Sequence, residues 1–214
     1  MAFGIIYIVL KYCCLMRDEK FFASNYSKCW DFFCESKWFI VFALGIFALT
    51  FLIGFAFPIF FRAEIFVFIE EMILEFEGKG AIDGIVYIFL NNLLASFFAM
   101  ALGVFLGVFS FMTCVVNGYL LGFVSRSVVE VEGIFVLWRL LPHGIFELPA
   151  ILFSIGIGLR LGAAVASGGQ FRVGNKKNRG VGYVFREGLR FFVFVIFPLL
   201  ILAGIIEGLL ISFM

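Results

Sequence analysis

The feature that most constrains this chain is a run of 42 residues, from Gly84 to Ser125, without a single charged side chain. A membrane-spanning helix needs about 20 predominantly apolar residues. The run is therefore too long for one span and long enough for two spans joined by a tight turn. Gly103, Gly107 and the stretch to Ser110 are candidate positions for that turn, and the four-residue spacing of the two glycines would let helices approach closely.

The composition places the rest of the chain in the same class. Hydrophobic residues make up 64% of the 214 residues and charged residues 14%, whereas soluble domains contain about 25% charged residues. Because this leaves too little polar surface to cover a soluble globule, we expect an all-α polytopic membrane protein, with residues 1–214 forming a single domain in the lipid bilayer of the cell membrane. The net charge of +1 gives no indication of a nucleic-acid partner.

Five segments are long and apolar enough to cross a hydrocarbon core of about 30 Å: about 38–61, 85–104, 106–125, 140–161 and 191–213. Two further segments, about 11–37 and 63–77, combine charged residues with an apolar stripe and predict amphipathic helices on the membrane surface. Residues 167–190 are predicted to form a basic cytoplasmic loop.

The lysines and arginines predict the orientation. The connections contain five of them in residues 11–37, two in 62–83, none at the turn, two in 126–139 and six in 172–190. With five spans, the first, third and fifth connections lie on the same side of the membrane. That side holds eleven lysines and arginines, and the other side holds four. The positive-inside rule then places the N terminus in the cytoplasm and the C terminus outside. The most basic loop also suggests a site for anionic lipid headgroups, formed by Arg172, Lys176, Lys177 and Arg179.

The most unusual segment holds the only histidine of the chain, His143, followed four residues later by Glu147. In a helix these two side chains lie on one face. Pro142 favours a helix that begins at Pro142 or His143, and Pro149 would disturb the same helix. Together with Gly144, the two prolines predict a helix break, or a re-entrant entrance, on the external side.

Polar side chains inside spans should face protein and pair with one another, because lipid offers them no hydrogen bonds. We therefore expect a polar intramembrane cluster of His143, Glu147, Asn91, Asn92, Asn117 and Glu207. Arg160 lies 13 residues beyond Glu147, about 20 Å along a helix, which is too far for an ion pair within that helix. Arg160 is expected either to reach the cytoplasmic interface or to meet a polar group of a neighbouring span.

The string Leu141-Pro-His-Gly-Ile-Phe-Glu-Leu-Pro-Ala150, with Gly158-Leu-Arg-Leu-Gly162 after it, resembles the stage II sporulation protein M family. The resemblance covers about residues 28 to 214. It extends to three short pairs: Asn91–Asn92, Asn117–Gly118 and Ile206–Glu207. It implies a helical membrane protein of about five spans. In spore-forming bacteria it further implies membership of a complex that remodels peptidoglycan during engulfment, in which partner proteins perform the hydrolysis and the membrane component acts as a scaffold.

Three functions are compatible with the polar cluster. In the first, the cluster only fixes the helix arrangement, and the chain is a non-catalytic scaffold or assembly component with membrane-protein partners. In the second, the cluster around His143, Glu147 and Glu207 lines a path for a small solute or an ion. In the third, these three residues hold a divalent metal, the one cofactor considered. A catalytic zinc site normally has three protein ligands and an open position, and the chain contains no His-Glu-x-x-His motif.

Soluble enzyme chemistry has little support. The sequence contains neither a Gly-x-Ser-x-Gly motif nor a Gly-x-x-x-x-Gly-Lys-Ser/Thr phosphate-binding loop. We therefore expect no catalytic residues. The small-residue spacing in the spans makes a homodimer a further expectation.

Overall fold

The computed structural model describes residues 19–58, 65, 67, 81–168 and 180–213, with the side chains of 19–20, 81–82, 136–143 and 207–213 left out. The described residues contain no strand. They form six α-helices: α1 (Glu19–Ala56), α2 (Ala81–Ala101), α3 (Val108–Glu132), α4 (Leu137–Ala166), α5 (Val181–Phe191) and α6 (Phe197–Phe213). A π-helix at Phe192–Ile196 joins α5 to α6, and 3-10 helices at Leu102–Val104 and Ile134–Val136 end α2 and precede α4.

The predicted fold class is confirmed, because five helical segments of this part of the chain are long and apolar enough to span a membrane. These segments are Phe21–Ala56, Asp83–Val104, Val108–Glu132, Gly144–Ala166 and Val181–Ile206. The long uncharged run does contain two of them. They are separated by the turn 105–107, in which Leu106 and Gly107 adopt positive φ angles of 56° and 77°. Glycine takes this conformation readily, whereas leucine rarely does.

The first helix differs from the prediction. Residues 19–37 were expected to form part of a separate surface helix, but they continue without interruption into the first span as α1. No glycine or proline occurs between Glu19 and Gly45, so nothing in the local sequence ends the helix. Residues 11–18, and nearly all of the predicted surface helix 63–77, lie outside the described residues.

The predicted break in the fourth span is also wrong. α4 begins at Leu137 and runs as one α-helix through Pro142, Gly144 and Pro149. Each proline removes one backbone hydrogen bond. Packing on the neighbouring helices compensates for that loss, since tertiary packing supplies most of the stability of helices in proteins.

α4 is the central helix of the bundle. It contacts α1, α2, α3, α5 and α6. In its most apolar stretch 56% of the residues are buried, against 17–33% in the other four spans. The buried polar side chains of α4 therefore need partners within the protein, either on a surrounding helix or, as for Ser154, on a carbonyl oxygen of α4 itself.

The second half of the predicted basic loop is helical. Residues 181–190 belong to α5, whose buried face includes Val184, Gly188 and Phe191. The π-helix and α6 then continue the same span. The four proposed headgroup residues, Arg172, Lys176, Lys177 and Arg179, lie outside the described residues.

Glycines bring α4 into backbone contact with its neighbours. A Cβ atom added to Gly158 would lie 2.3 Å from the carbonyl oxygen of Ala99 and 2.2 Å from Oγ of Ser110, and one added to Gly162 would lie 2.1 Å from the backbone nitrogen of Gly107. Real Cβ atoms do not approach other atoms so closely. The Gly158–Gly162 string around Arg160 thus allows α4 to pack closely on α2 and on the 105–107 turn.

Candidate functional site: intramembrane polar contacts

Two of the predicted cluster residues meet. The Nδ2 atom of Asn92 on α2 donates a hydrogen bond of 2.5 Å to Oε1 of Glu147 on α4. Both side chains are half-buried. An amide bound to a carboxylate across two spans ties the helices together, because neither group would find a partner in lipid.

The other cluster residues do not join this contact in the part of the chain that is described. Asn117 donates to the carbonyl oxygen of Thr113 in its own helix at 2.8 Å, and Asn91 is exposed on α2. The side chains of His143 and Glu207 lie outside the described residues. The metal site predicted at His143, Glu147 and Glu207 therefore stays a prediction. Among the described residues, no three metal-binding side chains come together.

The best-defined polar site surrounds Arg160. Arg160 is 3% exposed, and its Nη2 atom forms an ion pair of 2.9 Å with Oε2 of Glu35 on α1. Glu35 is itself 9% exposed. Of the two expectations for Arg160, the structure shows the second: the side chain meets a polar group of a neighbouring span.

Further contacts complete the surroundings of the guanidinium. Its Nη1 atom donates to Oγ of Ser36 at 2.7 Å and to the carbonyl oxygen of Phe32 at 3.4 Å. The aromatic ring of Phe32 lies against the same group, 4.6 Å from ring centroid to guanidinium carbon. Such cation–π contacts strengthen when water is excluded. α1 alone thus supplies an anion, a hydroxyl, a carbonyl and an aromatic face to one arginine of α4.

α5 closes the site from a third direction. The hydroxyl of Tyr183 donates to Oε2 of Glu35 at 3.4 Å. One turn further along, the buried carboxylate of Glu187 accepts from Arg190 and pairs with Arg186 at 3.3 Å. Glu35 and Glu187 are thus each paired directly with arginine side chains, and the contacts of Glu35 with Arg160 and Tyr183 join α1, α4 and α5.

Sequence reasoning missed Glu35 as the partner of Arg160. Residues 11–37 contain four acidic and five basic residues, a mixture that is typical of a solvated surface helix, so Glu35 did not stand out. The signal that could have found it is the absence of a helix-ending residue before Gly45. That absence makes Glu35 part of the first span, where a lone carboxylate requires a cation.

These contacts hold neighbouring helices together. The Arg160 guanidinium is matched by one carboxylate and two oxygen acceptors. Breaking such a pair leaves an uncompensated charge, whereas the intact pair is neutral as a whole.

Fold and site together define a polytopic α-helical membrane protein, with a tightly packed central helix whose Arg160 and Glu147 are bound by the helices around it. The chain belongs to the Stage II sporulation protein M family, whose model matches residues 38–210. This confirms the family predicted from the Leu141–Ala150 string. Both that string and the Gly158–Gly162 string lie on α4.

One curated relative is Uncharacterized protein MJ0706 of Methanocaldococcus jannaschii, which is 33% identical over 105 residues. The alignment covers 48% of this chain and 46% of the relative, so the chain spans about half the length of the protein that it matches. No solved structure matches the chain.

Proposed function

We propose that this chain is a non-catalytic scaffold, an assembly component that organises other membrane proteins. The observation that carries the proposal is the state of the polar side chains of the central helix. Arg160 is almost fully buried and bound to α1, and Glu147 is bound to α2. Side chains engaged in this way hold helices in place, which is the property that a scaffold requires.

The packing of the central helix supports the same proposal. Gly158 and Gly162 place α4 in backbone contact with α2 and the 105–107 turn. A transporter of the alternating-access type needs bundles that move against each other around a polar path. Backbone contact on one side of α4 and an ion pair on the other favour a fixed bundle instead. This role agrees with the one implied by the family resemblance, in which partner proteins carry out the chemistry.

The proposal includes an orientation. Lysine and arginine are concentrated in residues 11–37 and 172–190, and the positive-inside rule places both segments in the cytoplasm. A reporter that fluoresces only in the cytoplasm should therefore be bright at the N terminus and dark at the C terminus of the intact protein. The opposite pattern would reverse the orientation without affecting the scaffold proposal.

The scaffold proposal is tested by purifying the tagged protein from its native membranes, at its native level, in polymer-bounded lipid discs. We expect at least one other membrane protein at a fixed stoichiometry. In parallel, wild type and Glu147→Gln are reconstituted in proteoliposomes and assayed for proton, cation and small-solute flux. Glutamine removes the charge and keeps an oxygen that can accept from Asn92. A flux that requires the Glu147 charge, combined with a protein that purifies without partners, would replace the scaffold by a transporter.

A further inference from the structure

Asn91 is an exposed amide within a membrane span. It lies on α2, eight residues after Asp83 at the start of the second span, which is about 12 Å along the helix. Its neighbour Asn92 points to the bundle interior and binds Glu147. Asn91 itself faces away from the bundle, and no hydrogen bond to its side chain is found among the described residues.

A lipid-facing amide is costly because hydrocarbon cannot replace the hydrogen bonds that the group makes in water. An asparagine side chain has two N–H donors and an oxygen acceptor. Between Val86 and Phe98 the other exposed side chains of α2 are apolar, so the Asn91 amide calls for a protein partner at the same depth in the membrane.

The residues around Asn91 have the spacing of a helix–helix seam. Tyr87, Asn91, Leu94 and Phe98 follow one another at intervals of four, three and four residues, which is the a/d pattern of a left-handed helix pair. Leu94 is 52% and Phe98 49% exposed. Successive helical residues are rotated by about 100°, so this seam lies opposite Ser96, which is 1% exposed and faces the bundle.

We propose that the α2 seam is the interface of a homodimer, in which Asn91 of one copy hydrogen-bonds to Asn91 of the second copy. Two copies inserted in the same membrane share one orientation, so a two-fold axis along the membrane normal places both asparagines at the same depth. The amide is both donor and acceptor, and two of them can bond reciprocally. A single polar residue within an apolar seam is a known device for fixing the register of a helix pair.

A second copy fits this surface better than a foreign span because symmetry supplies the matching group without any further requirement. The seam carries no charge, so a partner needs only one polar residue at one depth and apolar residues on either side. An identical α2 helix meets each of these conditions.

The first experiment measures dimerisation of the full-length protein in lipid vesicles by energy transfer between donor- and acceptor-labelled copies, over a range of protein densities. We expect a dimer for the wild type. Asn91→Leu should weaken the association about 3- to 30-fold, the range reported for hydrogen bonds between membrane helices. Asn91→Gln, which retains the amide, should dimerise more strongly than Asn91→Leu. Thermal unfolding of each variant in detergent verifies that the monomer folds.

The second experiment locates the interface by cysteine cross-linking in native membranes, in a variant without the natural cysteines. Leu94→Cys should form a homodimer. Val116→Cys on α3 is the matched control. Val116 is 59% exposed and Leu94 is 52% exposed. The two residues lie at a similar distance from the 105–107 turn, nine residues for Val116 and eleven for Leu94. Cross-linking of Leu94→Cys and not of Val116→Cys supports the seam.

Several outcomes overturn the proposal. If the wild type stays monomeric at every density, the protein does not form the proposed dimer. If Asn91→Leu dimerises as strongly as the wild type, the Asn91 amide does not contribute to the interface. Equal cross-linking at Val116 places the contact elsewhere, and cross-linking of Leu94→Cys to a different protein assigns the seam to a foreign partner. The first three results leave the scaffold proposal unchanged, because that proposal is tested by copurification and flux. A cross-link to a different membrane protein would overturn the homodimer and agree with the scaffold.

Discussion

The ion pair between Arg160 and Glu35 makes the most quantitative prediction. Replacing Glu35 by leucine leaves the guanidinium of Arg160 buried without its anion. Removing one partner of a buried pair typically costs about 3–5 kcal/mol. Since about 1 kcal/mol corresponds to roughly 2–4 °C in a chain of 150–250 residues, Glu35→Leu should lower the melting temperature by about 6–20 °C.

The double variant distinguishes the contribution of the ion pair from the contributions of its two residues. Replacing both residues by apolar side chains of similar size, Glu35→Leu with Arg160→Met, removes both charges at once. Such replacements are often neutral or stabilising. We therefore expect the double variant to melt within about 4 °C of the wild type, and clearly above either single variant.

The chain contains a matched control. Arg126 and Glu130 on α3 form an ion pair of 2.8 Å, but their side chains are 41% and 55% exposed. Exposed pairs contribute about 0–1 kcal/mol, so Glu130→Leu should shift the melting temperature by no more than about 4 °C.

The assay is thermal unfolding in one detergent, followed by tryptophan fluorescence and by the loss of monodisperse protein on size-exclusion chromatography. Two results would refute the reasoning. One is a Glu35→Leu shift no larger than that of Glu130→Leu, which would mean that the Arg160 guanidinium reaches water. The other is a double variant as unstable as the sum of the single variants, which would mean that the two residues act independently.

Two further predictions concern the central helix. Gly158→Ala places a Cβ against the Ala99 carbonyl and should destabilise the bundle by about 1–3 kcal/mol through overpacking. Its control is Gly45→Ala, which adds a methyl where no atom lies within 4 Å. This control should raise the free energy of unfolding by about 0.5–1 kcal/mol. The same melting assay checks both, and equal effects would show that the close contact is absent. Glu147→Leu leaves the Asn92 amide without its acceptor and should lower the free energy of unfolding by about 1–3 kcal/mol. Glu147→Gln keeps an acceptor and should lower it by less. If Glu147→Gln were the less stable of the two variants, the Glu147 charge, rather than its hydrogen bond, would stabilise α4.

The class of protein and the number of spans could be predicted because lipid imposes a simple requirement. A segment that crosses the membrane must be long and apolar, and length and composition are visible in the sequence. The uncharged run Gly84–Ser125 divided into two spans as expected, with the turn at 105–107 inside the stretch that the sequence suggested.

The polar contacts were harder to predict, because they depend on which helices become neighbours. The pairing of Asn92 with Glu147 brings together residues 55 positions apart, and that of Arg160 with Glu35 joins residues 125 positions apart. Spacing within one helix gives no information on such distances. The local signals of Pro142 and Pro149 were misleading for the same reason, since the packing of α4 outweighs two lost backbone hydrogen bonds.

We conclude above all that Arg160 and Glu147 of the central helix are bound directly to side chains of neighbouring helices, rather than to water. The most direct measurement is a cryo-electron microscopy structure of the full-length protein in lipid nanodiscs, at a resolution that shows side chains and ordered water. We predict direct contact between Arg160 and Glu35 and between Asn92 and Glu147, with the guanidinium enclosed by α1, α4 and α5. A water-filled channel between these groups, or an Arg160 side chain extended to the membrane surface, would contradict it.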